Sequence, residues 1–165
     1  MFFRSVVVML TAGRLRKVLS YDPETGVFTR NSTGKVVGCL RHKGYVDIMV
    51  DYRSYGAHRL AVLYMTGYWP ERQVNHRNLI RSDNRWENIR PATRQQNLYN
   101  QGPRGKSDIK GVRQRKNGSW EARITSNYET KYLGVFKTSG DAAATYRKAA
   151  EELHGEFAFH LVTEN

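Results

Sequence analysis

The residues best suited to acid–base and metal chemistry lie between positions 73 and 100. His76 ends a predicted strand, Asn75 directly precedes it, and Asn88 and Asn97 follow at intervals of twelve and nine residues. An imidazole titrates near neutral pH and can accept a proton, and an amide oxygen can coordinate a hard cation. Together these residue types could serve general-base and metal-assisted chemistry.

Three further residues near this segment could take part in such chemistry. Asp83 and Asn84 could be metal ligands, but an Asp-Asn pair in a polar loop usually bonds to the neighbouring backbone. We therefore predict local hydrogen bonds for both. His58 lies at the start of the run AHRLAVLYMTG, directly after Ala57, and for it we predict packing or a hydrogen bond rather than catalysis.

The elements that must position these residues are short. Residues 14–55 alternate short apolar runs with turn signals, which predicts a small β-meander. Helical spacing begins at Ala57 and ends at Gly67. The pattern of residues 73–100 predicts a hairpin around the polar loop RSDNRWEN. A short helix with Thr93 as its N-cap is predicted to follow.

A second group of elements follows residues 101–108, whose composition, QGPRGKSD, predicts a linker. Three strand-like runs then precede an alanine-rich helix that ends at Gly155. This order predicts a three-stranded antiparallel sheet covered on one face by a helix, and the whole chain is expected to be α+β. Period-two alternation places Arg113 and Arg115 on one face of the first strand and Val112 on the other.

Basic side chains exceed acidic ones in both halves of the chain. There are 27 Lys and Arg against 15 Asp and Glu, a formal net charge of +12. Such a charge favours a polyanionic partner, because neutralised phosphates release counterions. Nucleic acid is the first expectation, and an anionic membrane surface is a distant second.

The single cysteine, Cys39, excludes an internal disulfide and a four-cysteine zinc site. It predicts a reducing, cytoplasmic location. The opening run MFFRSVVVML is much shorter than the roughly twenty apolar residues that span a bilayer. We predict an initial strand or a loose terminus there, and no membrane partner.

Residues 73–100, with YDPETGVF and AHRLAVLYMTG upstream, resemble the HNH endonucleases of phages and mobile introns. The resemblance implies that residues 1–100 form a nuclease domain whose ββα-metal core lies at 73–100. It also implies hydrolysis of DNA, in the cytoplasm of a bacterial host if the chain is encoded by a phage.

The same resemblance implies a role for each motif residue. His76 would be the general base, and Asn88 would orient its imidazole. Asn75 and Asn97 would be the ligands of one Mg²⁺ or Mn²⁺ ion. Relatives commonly carry an acidic residue at the position of Asn75, so the expected metal affinity is reduced in this chain.

Residues 109–165 resemble the DNA-binding domain of plant ethylene-response transcription factors, the APETALA family. The opening GVRQR, the Trp before an alternating strand, the YLG-F-T turn and the alanine-rich helix with its Tyr carry the resemblance. It implies that the sheet lies in the major groove of double-stranded DNA. The side chains implied to contact DNA are Arg113, Arg115, Trp120, Arg123, Lys131 and Tyr132. Trp120 could equally fill the core.

Three functions remain open from the sequence. The chain could be a nuclease that cleaves near a site read by its C-terminal domain, a DNA-binding protein with a disabled nuclease half, or a basic protein that binds RNA or is structural. One active site per chain and no obvious dimer stripe predict a monomer on DNA that breaks one strand at a time.

Overall fold

The computed structural model describes residues 9–104 and 108–159. The chain divides into two compact units, the first ending at Pro91 and the second beginning at Ala92. Most of the opening run, and the middle of the predicted linker, lie outside the described residues. The described part of that linker, residues 101–104 and 108, contains no helix or strand.

The first unit begins with a helix where the sequence analysis predicted a β-meander. α1 spans Ala12–Val18, and its N-cap Thr11 accepts a hydrogen bond from Arg14 N at 3.2 Å. Leu15 is fully buried in the first hydrophobic core. The meander prediction for 14–55 is therefore wrong at its start, because a capped turn and a buried leucine favour the helix there.

The strands that follow form two antiparallel three-stranded sheets instead of one meander. The first has the order β1 (Leu19–Tyr21), β2 (Phe28–Arg30), β3 (Val36–Val37). The second has the order β4 (Cys39–Leu40), β5 (Val46–Val50), β6 (Arg53–Gly56). The break falls at Gly38, whose φ of 140° lies in the region that favours glycine.

The helix and the hairpin that carry the motif form as predicted. α2 (Ala57–Thr66) ends at Gly67, which has φ 85° and donates its backbone N–H to Leu63 O. β7 (Gln73–His76) pairs with β8 (Ile89–Ala92) in a two-stranded sheet. The loop between them contains a 3₁₀ turn at Trp86–Asn88.

The second unit opens with α3 (Arg94–Tyr99), and its predicted cap is confirmed. Thr93 and Gln96 form a reciprocal capping box, with N–O distances of 3.1 and 2.8 Å. At the other end, Lys110 Nζ donates to the backbone carbonyls of Leu98, Tyr99 and Gln101. Tyr99 ends the helix, and its carbonyl is among those that a helix end leaves without intrahelical partners.

The predicted sheet and helix of the second unit are also confirmed. β9 (Val112–Gln114), β10 (Trp120–Ser126) and β11 (Glu129–Phe136) form an antiparallel sheet with β10 in the middle. α4 (Ser139–His154) packs on one face and ends at Gly155. The buried residues between them are Val112, Ala122, Ile124, Ala142, Tyr146 and Ala150. At this coarse level the α+β prediction holds.

Candidate functional site

His76, at the end of β7, lies buried beside a second buried side chain, Asn84. Its Nε2 is 3.2 Å from Asn84 Oδ1. Asn84 Nδ2 donates to Ser82 O at 3.1 Å, which fixes the orientation of the amide and turns its oxygen toward the imidazole. Since Oδ1 can only accept, Nε2 carries the proton and the lone pair of the neutral ring is on Nδ1.

The surroundings of His76 keep its imidazole neutral at physiological pH. Burial lowers the pKa of His76, the hydrogen bond with Asn84 and the charge of Asp83 oppose this effect, and Arg81 adds to it, so that the net pKa is lowered. A neutral imidazole with a defined tautomer is the form in which histidine accepts a proton.

The backbone of Asn84 is held by the connection between β1 and β2. Tyr21 Oη donates to Asn84 O at 2.7 Å, and Trp86 N donates to Pro23 O at 2.9 Å. Gly26 has φ 74°, and a Cβ there would come within 2.5 Å of the Asn84 carbonyl carbon. The YDPETG turn therefore supports the loop that carries Asn84.

Asn88 acts on the same loop. Its Oδ1 accepts from Asn78 N at 3.0 Å, and its Nδ2 donates to Asp83 O at 2.7 Å, next to Asn84. The resemblance implied that Asn88 orients the imidazole of His76. The amide 3.2 Å from Nε2 is that of Asn84, for which the sequence analysis had predicted local hydrogen bonds. The assignment of Asn88 as the orienting residue remains a prediction.

Asp83 behaves as the sequence analysis predicted. It accepts from Arg85 Nη2 and from Asn78 Nδ2, both at 2.7 Å. The hydrogen bond from Arg85 is the largest cause that lowers the pKa of Asp83 to about 2; burial opposes it. Its carboxylate therefore bonds to residues of the same loop.

His58 packs against the candidate base. The ring centroids of His58 and His76 are 5.3 Å apart with an edge-on arrangement, and Tyr45 lies 5.2 Å from His58 and 6.0 Å from His76. Burial, followed by the charges of His76 and Arg59, lowers the pKa of His58 to about 4 despite an opposing effect of Asp47. The prediction of a packing role agrees with this geometry.

The residue expected to be the first metal ligand faces a positive charge. Asn75 Oδ1 accepts from Arg90 Nε at 3.0 Å, and both side chains are buried. Arginine remains protonated at all physiological pH values. Within the described residues, no group of three or more His, Cys, Asp or Glu side chains could hold a metal ion. A neutral amide beside a guanidinium does not by itself fit a divalent cation.

Asn97, the second expected ligand, lies half-buried on α3 of the second unit. Its assignment as a ligand remains a prediction.

The exposed face of the second unit's sheet carries a cluster of arginines. Val112 points into the core, as the alternation predicted, and Arg113 lies on the opposite face. Arg113, Arg115 and Arg123 all converge on Glu121, whose side chain is buried. Sequence reasoning missed Glu121, although its position two residues before Arg123 in the strand places both side chains on the same face.

The other three predicted contact residues lie in different settings. Trp120 is partly buried and packs against the second core. Tyr132 is exposed and pairs with Arg123, so it shares the arginine face. Lys131 pairs with Ile124, a core residue, and the register therefore places it on the helix-covered face. The contact of Lys131 with DNA remains a prediction that this register does not favour.

His58, His76 and the hairpin that carries Asn84 lie in a part of the chain that is similar to known proteins. Residues 55–99 match the HNH endonuclease family. We refer to them as the HNH segment. An uncharacterized HNH endonuclease from Acanthamoeba polyphaga mimivirus is 36% identical over 85 residues, which are 52% of this chain and 44% of that protein.

Two further proteins are similar to parts of the chain. An AP2/ERF and B3 domain-containing transcription factor from Arabidopsis thaliana is 34% identical over 68 residues, 37% of this chain and 20% of that protein. The solved structure of the HNH homing endonuclease I-HmuI, described as binding and cleaving DNA, aligns with 50% of this chain and 51% of its own at 24% identity and a TM-score of 0.43. The chain spans less than half the length of the curated relatives that it matches.

None of the helices in the described residues is both long enough and apolar enough to cross a membrane.

The support that Gly26 gives to Asn84 can be tested by a matched pair of substitutions. Gly26→Ala should lower the free energy of unfolding by about 1–3 kcal/mol more than Gly34→Ala. Both glycines have positive φ, 74° and 65°, but a Cβ at Gly34 would meet nothing within 4 Å. Equal losses in denaturant titrations would show that Gly26 does not support the loop.

The same substitution should change the titration of His76. The hydrogen bond with Asn84 raises the pKa of His76, so displacing Asn84 in Gly26→Ala should lower it further. NMR titration of the imidazole would measure this shift. An unchanged His76 pKa would contradict the proposed contact.

The depressed pKa of His58 predicts a pH dependence of stability. The unfolded chain binds a proton at His58 near its ordinary value of 6.5, whereas the folded chain does so near about 4. The free energy of unfolding should therefore fall by about 3 kcal/mol as the pH drops from about 6.5 to about 4, and it should level off below that. His58→Gln should lack this part of the loss in urea unfolding at pH 7 and pH 4. His42→Gln, which alters an exposed histidine, should retain it.

Proposed function

We propose that the chain is a DNA endonuclease that hydrolyses phosphodiester bonds, with His76 as its general base. The observation that carries the proposal is the buried His76 in the HNH segment with Asn84 Oδ1 at its Nε2. In the proposed step water gives a proton to Nδ1, which carries the lone pair in the tautomer that the Asn84 contact favours. Asn84 then stabilises the imidazolium by accepting from Nε2, as an orienting residue does in hydrolytic sites.

Double-stranded DNA is the proposed substrate and partner. The net charge of +12 favours a polyanion. We propose that the exposed sheet face of the second unit reads the duplex through Arg113, Arg115 and Arg123, with Tyr132 beside them. One HNH segment per chain supports the proposal that a monomer breaks one strand at a time.

The resemblance also implies Mg²⁺ or Mn²⁺, held by Asn75 and Asn97. Arg90 Nε already donates to Asn75 Oδ1, the atom that would bind the ion, and a neutral amide attracts a divalent cation less than a carboxylate does. A phosphate of bound DNA would supply negative charge. We therefore propose that any metal requirement appears only in the DNA complex.

The contact between Arg90 and Asn75 favours a second candidate function, a DNA-binding protein whose nuclease half is impaired. In that case the HNH segment would contribute to DNA binding, and the chain would bind the duplex without cutting it. The two candidates differ in one measurable property, which is strand breakage by the purified full chain.

Nicking of supercoiled plasmid, with and without Mg²⁺ or Mn²⁺, tests the first candidate. His76→Ala should reduce the rate by about 10²–10⁴-fold while leaving the Kd for duplex DNA nearly unchanged, because general-base catalysis contributes about that much. His42→Ala serves as a control at an exposed histidine. Equal loss of binding and cutting would show that His76 is structural, and no cutting by the unaltered chain would favour the second candidate.

Asn75→Asp tests the metal position. If Asn75 is a ligand, the added carboxylate should lower the metal concentration for half-maximal nicking. Arg90 should reduce this gain by pairing with the new carboxylate, so that the double variant Asn75→Asp with Arg90→Gln gains more than Asn75→Asp alone. Metal titrations of nicking rate measure both. An unchanged metal requirement in both variants, with nicking still dependent on His76, would rule out Asn75 as a ligand.

A further inference from the structure

The arginines on the exposed sheet face are held by a single carboxylate. Arg113 donates from Nε to Glu121 Oε1 at 3.2 Å and from Nη2 to Oε2 at 3.4 Å. Arg123 Nε lies 2.5 Å from Oε1, and Arg115 Nε lies 3.9 Å from Oε2. Both carboxylate oxygens are therefore shared among three guanidiniums.

Exposure differs sharply between the two sides of this cluster. The Glu121 side chain is 6% exposed, whereas those of Arg113, Arg115 and Arg123 are 66%, 47% and 51% exposed. Burial by itself would raise the pKa of Glu121, but the hydrogen bond from Arg113 and the charges of all three arginines lower it. The carboxylate thus stays ionised beneath the cations, and the outer N–H groups of the cations face solvent.

This geometry follows from the register of the sheet. Glu121 is the direct cross-strand partner of Arg113, and Arg123 lies two residues along the same strand, on the same face. A single exposed ion pair contributes little to stability. A buried carboxylate with three arginines around it is different, because removing it would leave three like charges close together without a counterion.

We propose that Glu121 is a specificity-determining positioning residue, which holds the three arginines for contacts with base edges and keeps them from binding phosphates indiscriminately. The inference rests on the proposed function of this face in binding duplex DNA. Phosphate contacts carry no sequence information, whereas a guanidinium held in a fixed plane can present paired N–H groups to the two acceptors of guanine. Glu121 also lowers the net charge of the cluster from +3 to +2.

The proposal predicts opposite effects on two properties of DNA binding. Without the carboxylate, the cluster gains one net positive charge and its arginines can reach phosphates, so binding to arbitrary sequence should become tighter and more dependent on salt. The same loosening should reduce discrimination between sequences. A residue with only a structural role would weaken binding to all sequences together.

The experiment uses the full chain. Duplexes enriched from a random-sequence library by the unaltered protein supply a preferred site, and a scrambled duplex of equal composition supplies the reference. Glu121→Gln should bind the scrambled duplex more tightly. The slope of log Kd against the logarithm of salt concentration should be steeper by about 0.9. Its ratio of preferred to scrambled affinity should fall about tenfold or more, the discrimination expected of a bidentate arginine.

Two further variants make the comparison specific. Glu152→Gln removes the same charge from an exposed position on α4, on the other side of the sheet, and should leave the ratio unchanged. Glu121→Asp keeps the charge on a shorter side chain, so it should retain the original salt slope while losing part of the discrimination. Thermal unfolding of each variant reports whether the second unit stays folded.

The outcomes distinguish failure of the proposed function from failure of the inference about Glu121. If the unaltered chain binds no duplex, the proposed function fails and the inference fails with it. If it binds and enriches a sequence, but Glu121→Gln keeps the same ratio or weakens both duplexes equally, the inference alone is overturned.

Discussion

The contact between His76 Nε2 and Asn84 Oδ1 is the interaction on which the candidate active site depends. It decides which ring nitrogen carries the proton, and thereby which nitrogen can accept one. Several contacts in the first unit hold Asn84 in position. Tyr21 and the turn at Gly26 contact its backbone, and Asn88 donates to the carbonyl of the preceding residue, Asp83. The proposed proton transfer would tolerate little displacement, and these contacts restrict the movement of the amide.

Charge is arranged differently at the two proposed sites. At Asn75, a buried arginine donates a hydrogen bond to a neutral amide oxygen. At Glu121, a buried carboxylate is surrounded by three arginines and restrains them. The three arginines outnumber the one carboxylate, so the cluster has charge left with which to attract the phosphates of the proposed DNA partner.

His58 illustrates how a packing role can still affect chemistry. Its ring lies against His76, and a proton on one imidazole would oppose a proton on the other. The pair can therefore hold one charge far more easily than two. When His76 takes a proton in the proposed reaction, a neutral His58 beside it avoids a repulsive neighbour.

The sequence by itself determined those features whose causes are local. The cap at Thr93, the helix end at Gly67, and the inward side of Val112 follow from backbone geometry and short-range periodicity, and all were predicted correctly. The helix at Ala12–Val18 was not, because its stability comes from burial of Leu15 against distant segments. The contact of Asn84 with His76 and the position of Glu121 were not predicted, for the same reason. Asn84 is held by a turn some sixty residues earlier, and Glu121 meets the arginines through strand register. Only the tertiary structure brings such partners together, since neighbours in space that are far apart in sequence leave no periodic signal.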